Sequence, residues 1–167
     1  KRFLFRSAAS LLNGLADLPA HSCLIKESAS LRIRSSVGLP KPGLVMIGSH
    51  VPLANEQLEC LLQEISCVGI ELPVKKIMRI LQGALPDLML RDLERQWFND
   101  LMEVVKENKT PVLYTSREGI CFASTKERID FGNALAELMA SLAAKITPHL
   151  GYVISKGGIT THVLLEK

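Results

Sequence analysis

Aromatic residues are scarce in this chain, at 5% of 167 positions, and none is interleaved with a basic stripe. The twenty lysines and arginines are scattered, and the net charge is only +3. Nucleic-acid binding calls for a concentrated basic face, so that class is set aside. No apolar stretch approaches the roughly 18 to 20 residues that cross a bilayer, and no membrane segment is expected. The four cysteines (Cys23, Cys60, Cys67, Cys121) contain no Cys-x-x-Cys pair. That spacing argues against a zinc site and a disulfide framework, and fits a reducing, cytoplasmic setting. Histidines 21, 50, 149 and 162 show no metal-ligand spacing, so no protein metal site is assigned. Also missing are Gly-x-Ser-x-Gly, Gly-x-x-x-x-Gly-Lys-Ser/Thr and Gly-x-Gly-x-x-Gly. Their absence removes the nucleophile elbow, the P-loop and the dinucleotide fingerprint.

What is present is material for a core. Apolar residues make up 47% and charged residues 22%, the balance of a globular domain. Leu44-Val45-Met46-Ile47 is a continuous apolar run, the mark of a strand buried on both faces. Val68 to Leu72, Pro111 to Thr115 and Tyr152 to Ile154 read as further strands. Between them, helical spacing recurs. Leu58, Leu61, Leu62 and Ile65 form one stripe, with Asn55 as a plausible N-cap. Val74, Ile77, Met78 and Leu81 form another, broken by Gly83 and Pro86. Leu93, Trp97, Leu101 and Val104 line a longer helix that Asp92 would cap. Phe131, Leu135, Leu138, Met139, Leu142 and Ile146 make the most regular stripe, stopped at Thr147-Pro148. Strands alternating with long helices predict an α/β fold, a mostly parallel sheet with helices on both faces.

The ends differ in character. Residues 1–18 carry Leu11, Leu12, Leu15 and Leu18 at helical spacing. Residues 19–42 are rich in serine and basic residues and read as a linker, with a short strand expected at Leu31 to Ile33. The regular domain occupies residues 43–167. Both termini read as cut, so a piece of a longer polypeptide is expected.

Two stretches carry the chemistry. After Tyr152-Val153-Ile154 come Ser155-Lys156-Gly157-Gly158-Ile159-Thr160-Thr161, a strand, a double-glycine bend and a helix start. Glycine lets the backbone turn sharply, and a helix N-terminus presents unpaired N–H groups and a positive dipole end. Lys156 adds a positive charge. The segment reads equally as a phosphate cradle or as an ordinary strand–turn–helix connection. Gly48-Ser49-His50 repeats the pattern after the first apolar strand. Ser49 either bonds a phosphate or ribose or caps the next helix, and His50 either touches ligand or finishes the strand. Arg117 and Glu118 are either a ligand clamp or a solvated pair. Strand ends of a parallel sheet point one way, so Gly48-Ser49-His50, Thr115-Ser116-Arg117 and the 155–161 segment could converge where nucleotides bind.

These residues resemble a known family. Gly-Leu-Val-Met-Ile-Gly-Ser-His-Val-Pro at 43–52, Leu-Tyr-Thr-Ser-Arg-Glu at 113–118 and Ile-Ser-Lys-Gly-Gly-Ile-Thr at 154–160 are similar to the C-terminal nucleotide-binding domain of the four-carbon acid sugar kinases. The threonate/erythronate kinase branch is the nearest in wording. Phe3 to Ser10 resembles the segment closing that family's N-terminal substrate domain, and also the plant fusion proteins that join a dehydrogenase-like part, this kinase and an aldolase. The resemblance implies ATP and Mg2+ as cofactors and a small sugar-acid substrate, with the rest of the parent polypeptide as partner. It places Gly48, Ser49, His50, Lys156, Gly157, Gly158, Ile159, Thr160 and Thr161 against ATP, and Arg6 on the substrate side. It identifies no catalytic base. Two departures stand out: Val163 occupies the position of an expected aspartate, and Leu53-Ala54-Asn55 replaces Lys-Thr-Thr.

Overall fold

Four short apolar segments pair into a sheet, and their alternating side chains decide where the helices lie. The computed structural model describes residues 29–167. Arg6 and the helical stripe of residues 1–18 therefore lie outside the described residues, as does most of the serine-rich linker. Within Arg32–Lys167, which forms one compact unit, the strands are β1 (Gly43–Ile47), β2 (Cys67–Leu72), β3 (Thr110–Thr115) and β4 (Tyr152–Lys156). Their order is β2-β3-β1-β4, and every pairing is parallel. The expected α/β architecture is what the structure shows.

The helices are α1 (Pro52–Gln63), α2 (Val74–Leu81), α3 (Pro86–Lys106), α4 (Thr125–Ile146) and α5 (Gly158–Leu165). Side chains on successive strand residues point to opposite faces. Leu44, Met46, Leu72 and Leu113 therefore meet Ile77 of α2, Trp97 and Leu101 of α3, and Met139 and Leu142 of α4. Val45, Ile47 and Val112 face the other way, onto Ala54 and Leu58 of α1. The division follows from topology. The β1–α1–β2 connection crosses the sheet in one direction, and the later connections cross in the other. Right-handed crossovers then require opposite faces. Each fully buried side chain contributes roughly 1.5–3 kcal/mol by leaving water. α5 packs on α4 through Val163, against Ala136 and Ala140.

Several element boundaries differ from those the sequence suggests. Asn55 is not the N-cap of α1. That helix starts at Pro52 after an extended Val51, because proline is pre-set for the first helical position and loses no bond there. Asp92 is not a cap either, since α3 begins at Pro86 for the same reason. Asp92 instead accepts from Arg95 at 2.9 Å on the exposed face. No strand forms at Leu31 to Ile33. Leu31 ends a 3-10 turn, and only an isolated antiparallel bridge joins Arg34 to Pro40. β4 runs two residues beyond Ile154, because Ser155 and Lys156 pair with Met46 and Ile47 of β1. Tertiary pairing here overrides weak local preference. α4 has an N-terminus that its apolar stripe did not reveal. Ser124 Oγ accepts from Glu127 N–H at 3.1 Å, and Glu127 Oε2 accepts from Ala123 N–H at 2.9 Å. This reciprocal pair is a capping box shifted by one residue at its second bond.

Candidate functional site

β1 and β4 are neighbours in register, so their glycine bends arrive side by side at the carboxyl edge. Ile47 pairs with Lys156, and Gly48 N–H then donates to Lys156 O at 3.0 Å, carrying the ladder one step into the bend. A Cβ on Gly48 would overlap the Thr160 hydroxyl, so this position admits no side chain. Gly157 has φ +132°, a conformation that residues with a Cβ rarely adopt. A Cβ there would also come within 3.3 Å of Ser49 N. The two bends thus touch, backbone to backbone.

The helix start of α5 opens from the same corner. Thr161 N–H donates to Gly157 O at 2.9 Å as the first helical bond. The N–H groups of Gly158, Ile159 and Thr160 precede that bond, and no intrahelical carbonyl reaches them. Thr160 is buried at 6% exposure beneath this turn. Thr161 faces back along the strand, its hydroxyl donating to Ser155 Oγ at 2.9 Å.

β3 brings the third strand end. His50 Nε2 lies 3.0 Å from Thr115 Oγ1, donating or accepting according to its tautomer. Partial burial lowers the imidazole pKa from its ordinary value, and the nearby Arg117 charge lowers it further. Ser116 Oγ accepts from Val74 N–H at 3.0 Å, which satisfies the first turn of α2. Arg117 Nη1 donates to Ser49 O at 2.6 Å and so ties the β3 end to the β1 bend. Its Nε and Nη2 are buried with no partner. Charged donors left unpaired are costly, and they mark a place short of an acceptor. Burial lowers the Arg117 pKa, and the neighbouring Tyr114 and Glu71 counter this only in part. Glu118 does not join Arg117 in a clamp. It pairs with Lys75 at 2.9 Å, both side chains about half exposed.

A cavity of about 420 Å³ opens beside this corner. Gly48, His50, Thr115, Ile159 and Thr160 contribute to its lining, and residues of α4 and of the loop between β3 and α4 line most of the rest. Lys156 is placed differently from its neighbours in sequence. Its ammonium donates to Gln57 of α1, and its side chain borders a separate cavity on the α1 face with Leu53, Cys60 and Ile154. The sequence-predicted residues Gly48, Ser49, His50, Gly157, Gly158, Ile159, Thr160 and Thr161 therefore gather at one edge, while the Lys156 charge is held beside it. The expected convergence of the 48–50 and 115–117 strand ends is met here, while the specific bond between His50 and Thr115 was not foreseen. Nor was Gly132 on the cavity wall, for which the available signal was an isolated glycine inside a helical stripe.

A parallel sheet with glycine bends, a helix start and buried donors at its carboxyl edge has the features with which α/β domains hold phosphorylated ligands. Residues 44–167 match the family described as the nucleotide-binding C-terminal domain, and the chain belongs to that family. A comparison with curated proteins found no match.

Proposed function

We propose that this chain is the ATP-binding portion of a four-carbon sugar acid kinase, which moves the γ-phosphate of ATP to a hydroxyl of threonate, erythronate or a keto relative. One observation carries the reading: the Gly48-Ser49 and Gly157-Gly158 bends, read separately from sequence, abut at one corner beside unpaired helix N–H groups. A triphosphate spans such a corner, and a cradle closed to side chains suits close approach of phosphate oxygens to backbone. Gly48, Ser49, His50 and the 157–161 segment would contact the phosphates. Lys156 would add its charge after releasing Gln57. Arg117, with two donors free, suits the same role or holds Ser49 in place for it.

Among the described residues, no cluster of three or more His, Cys, Asp or Glu is arranged for a metal ion. Magnesium commonly binds through phosphates, water and one or two carboxylates, so it would arrive with ATP. When bound, it neutralises charge on the transferring phosphate. Glu118 is the one carboxylate on the cavity lining, and it would have to leave Lys75 to meet such an ion. Residues 1–18 are proposed as the end of a substrate-binding domain that contributes Arg6. Residues 19–42 would be a linker, and 43–167 a nucleotide-binding domain that the parent polypeptide continues. Cys60, Cys67 and Cys121 are free thiols, in keeping with a cytoplasmic enzyme.

A nucleotide-binding remnant without turnover is the second reading. Val163, where the resemblance calls for aspartate, is 7% exposed and packed on Ala136 and Ala140. A carboxylate there would have to displace that packing.

Calorimetric titration of the 167-residue chain with ATP and magnesium, and with tripolyphosphate alone, tests the binding step. Saturable ATP binding supports the reading, and silence toward both probes overturns it. Threonate- or erythronate-dependent ATP consumption by the parent polypeptide then separates kinase from remnant.

A further inference from the structure

β2 is the outermost strand on its side of the sheet. Thr110 N–H donates to Ser66 O at 2.8 Å, and Ser116 N–H donates to Leu72 O at 2.9 Å. Alternate residues of a parallel pair turn their backbone groups to the same neighbour, so Val68 and Ile70 face β3 while Gly69 and Glu71 face outward. Both outward residues are exposed. Among the described residues, no hydrogen bond meets their N–H or C=O groups. Sheet edges are commonly guarded by proline, lysine or a bulge, because a bare edge is a template for another strand. β2 carries no proline or lysine, and its register with β3 runs unbroken from Cys67 to Leu72.

The surroundings of this edge differ on its two sides. Between β2 and α3 lies a cavity of about 440 Å³, whose charged lining is Glu71, Asp100, Glu103, Glu107 and Lys109. Lys109 is the one cation there, and Glu107 holds it at 2.8 Å. Asp100 and Glu103 have no ion-pair partner among the described residues. On the α1 side, Leu62 lies against Gly69, and Ile65, in the turn into β2, is 93% exposed. A strip of unpaired backbone thus separates carboxylates from exposed apolar side chains.

We infer that the β2 edge is a docking site for an extended segment of a partner protein, basic and apolar at alternate positions, which adds to the sheet as a fifth strand. Main-chain bonds to Gly69 and Glu71 would hold such a strand, and its alternating side chains would be read on the two faces. Asp100 and Glu107 stand about 10 Å apart along α3. Basic residues on one face of a strand recur every 7 Å or so, which lets two of them share that wall. A second copy of this chain suits the edge poorly. Antiparallel pairing of β2 with its own copy would set the α3 carboxylates of both copies on the same side of the joined sheet, like charge against like.

A fluorescein-labelled Lys-Val-Lys-Val-Lys-Val peptide, followed by anisotropy on the 167-residue chain, provides the test. Saturable binding is expected, and Lys-Lys-Lys-Val-Val-Val, equal in charge, should bind at least tenfold more weakly, on the order of what loss of register costs an amphipathic strand. Asp100→Asn combined with Glu103→Gln should weaken the first peptide about tenfold, the scale of two exposed ion pairs. Ile65→Ser should weaken it about threefold, the scale of one partly buried side chain. In the unaltered chain, amide exchange at Gly69 and Glu71 should slow when the peptide is present. Absence of binding overturns the inference, as does equal binding of the two peptides, which would reduce it to charge alone. Unchanged exchange at Gly69 and Glu71 overturns it even if a variant fails to fold. Binding that vanishes in the parent polypeptide would give the edge to the parent's own chain and overturn the partner. ATP affinity plays no part in these outcomes, so the nucleotide reading stands or falls separately.

Discussion

The two ends of the sheet use glycine to opposite effect. At the amino end, the space a Gly43 side chain would need is filled by the Tyr152 ring, and Gly151 sits 2.7 Å and 2.9 Å from the Lys41 and Ile33 carbonyls, measured from where its Cβ would be. Arg32 completes the closure, its guanidinium 5.3 Å over the Tyr152 ring and its Nε donating to Lys41 O. At the carboxyl end, Gly48 is closed over by Thr160, yet Gly157 bends into the opening and Gly132 faces an empty wall. One end is sealed by the protein's own side chains and carbonyls. The other keeps room for something else. The same residue type in sequence thus marks either packing or vacancy, and only the neighbours show which.

That contrast can be broken in order of expected effect. Gly43→Val forces a branched side chain into the Tyr152 ring and should destabilise the fold by about 3 kcal/mol, the upper range of overpacking. Chemical denaturation would show it. The surviving folded protein should bind ATP as before, and a parallel loss of affinity would blur the two ends into one. Gly157→Ala comes next. Its positive φ costs about 2 kcal/mol of strain, and its Cβ crowds Ser49 N. Here stability and ATP affinity should fall together, read by thermal melt and calorimetry.

Thr160→Val keeps the shape beneath the α5 turn and removes one hydroxyl. Stability should change by about 1 kcal/mol or less, while ATP affinity falls by about fivefold, the scale of one lost hydrogen bond. An unchanged affinity would confine Thr160 to packing over Gly48.

The smallest effect concerns pH. The His50 pKa is lowered in the fold, so folding favours the neutral ring. Between the lowered value and the ordinary one near 6.5, the unfolded chain binds more protons. Stability from this residue is therefore complete above the ordinary value and is lost as pH falls through the window. Melts from pH 8 to pH 5 should show a shallower decline in His50→Asn. Tripolyphosphate should raise the His50 pKa, since a nearby anion favours imidazolium, and an NMR titration of the ring that shows no such rise would remove His50 from the phosphate corner.

Much of the scaffold was legible because apolar runs and helical stripes report burial directly. Leu44 to Ile47 read as a strand buried on both faces, and all of β1 is buried. Element starts were less legible. Asn55 and Asp92 carry the chemistry of caps, but Pro52 and Pro86 claimed the first helical turns, and a capping side chain cannot compete for a terminus already set upstream. In the candidate site, the two glycine bends were visible as local motifs. The Arg117–Ser49 bond and the His50–Thr115 contact were not, since each joins residues more than sixty positions apart.

By itself, the amino-acid order determined the alternation of strand and helix, because periodicity of apolar residues is a property of neighbours along the chain. It also determined that two bends would be free of side chains. Only the tertiary structure decided that those bends meet, because strand order β2-β3-β1-β4 is set by how crossovers pack helices on the sheet. It likewise decided that Lys156 turns toward Gln57 and that the space over Gly132 stays open. Vacancy and contact are properties of surfaces brought together by folding, and no local pattern encodes them.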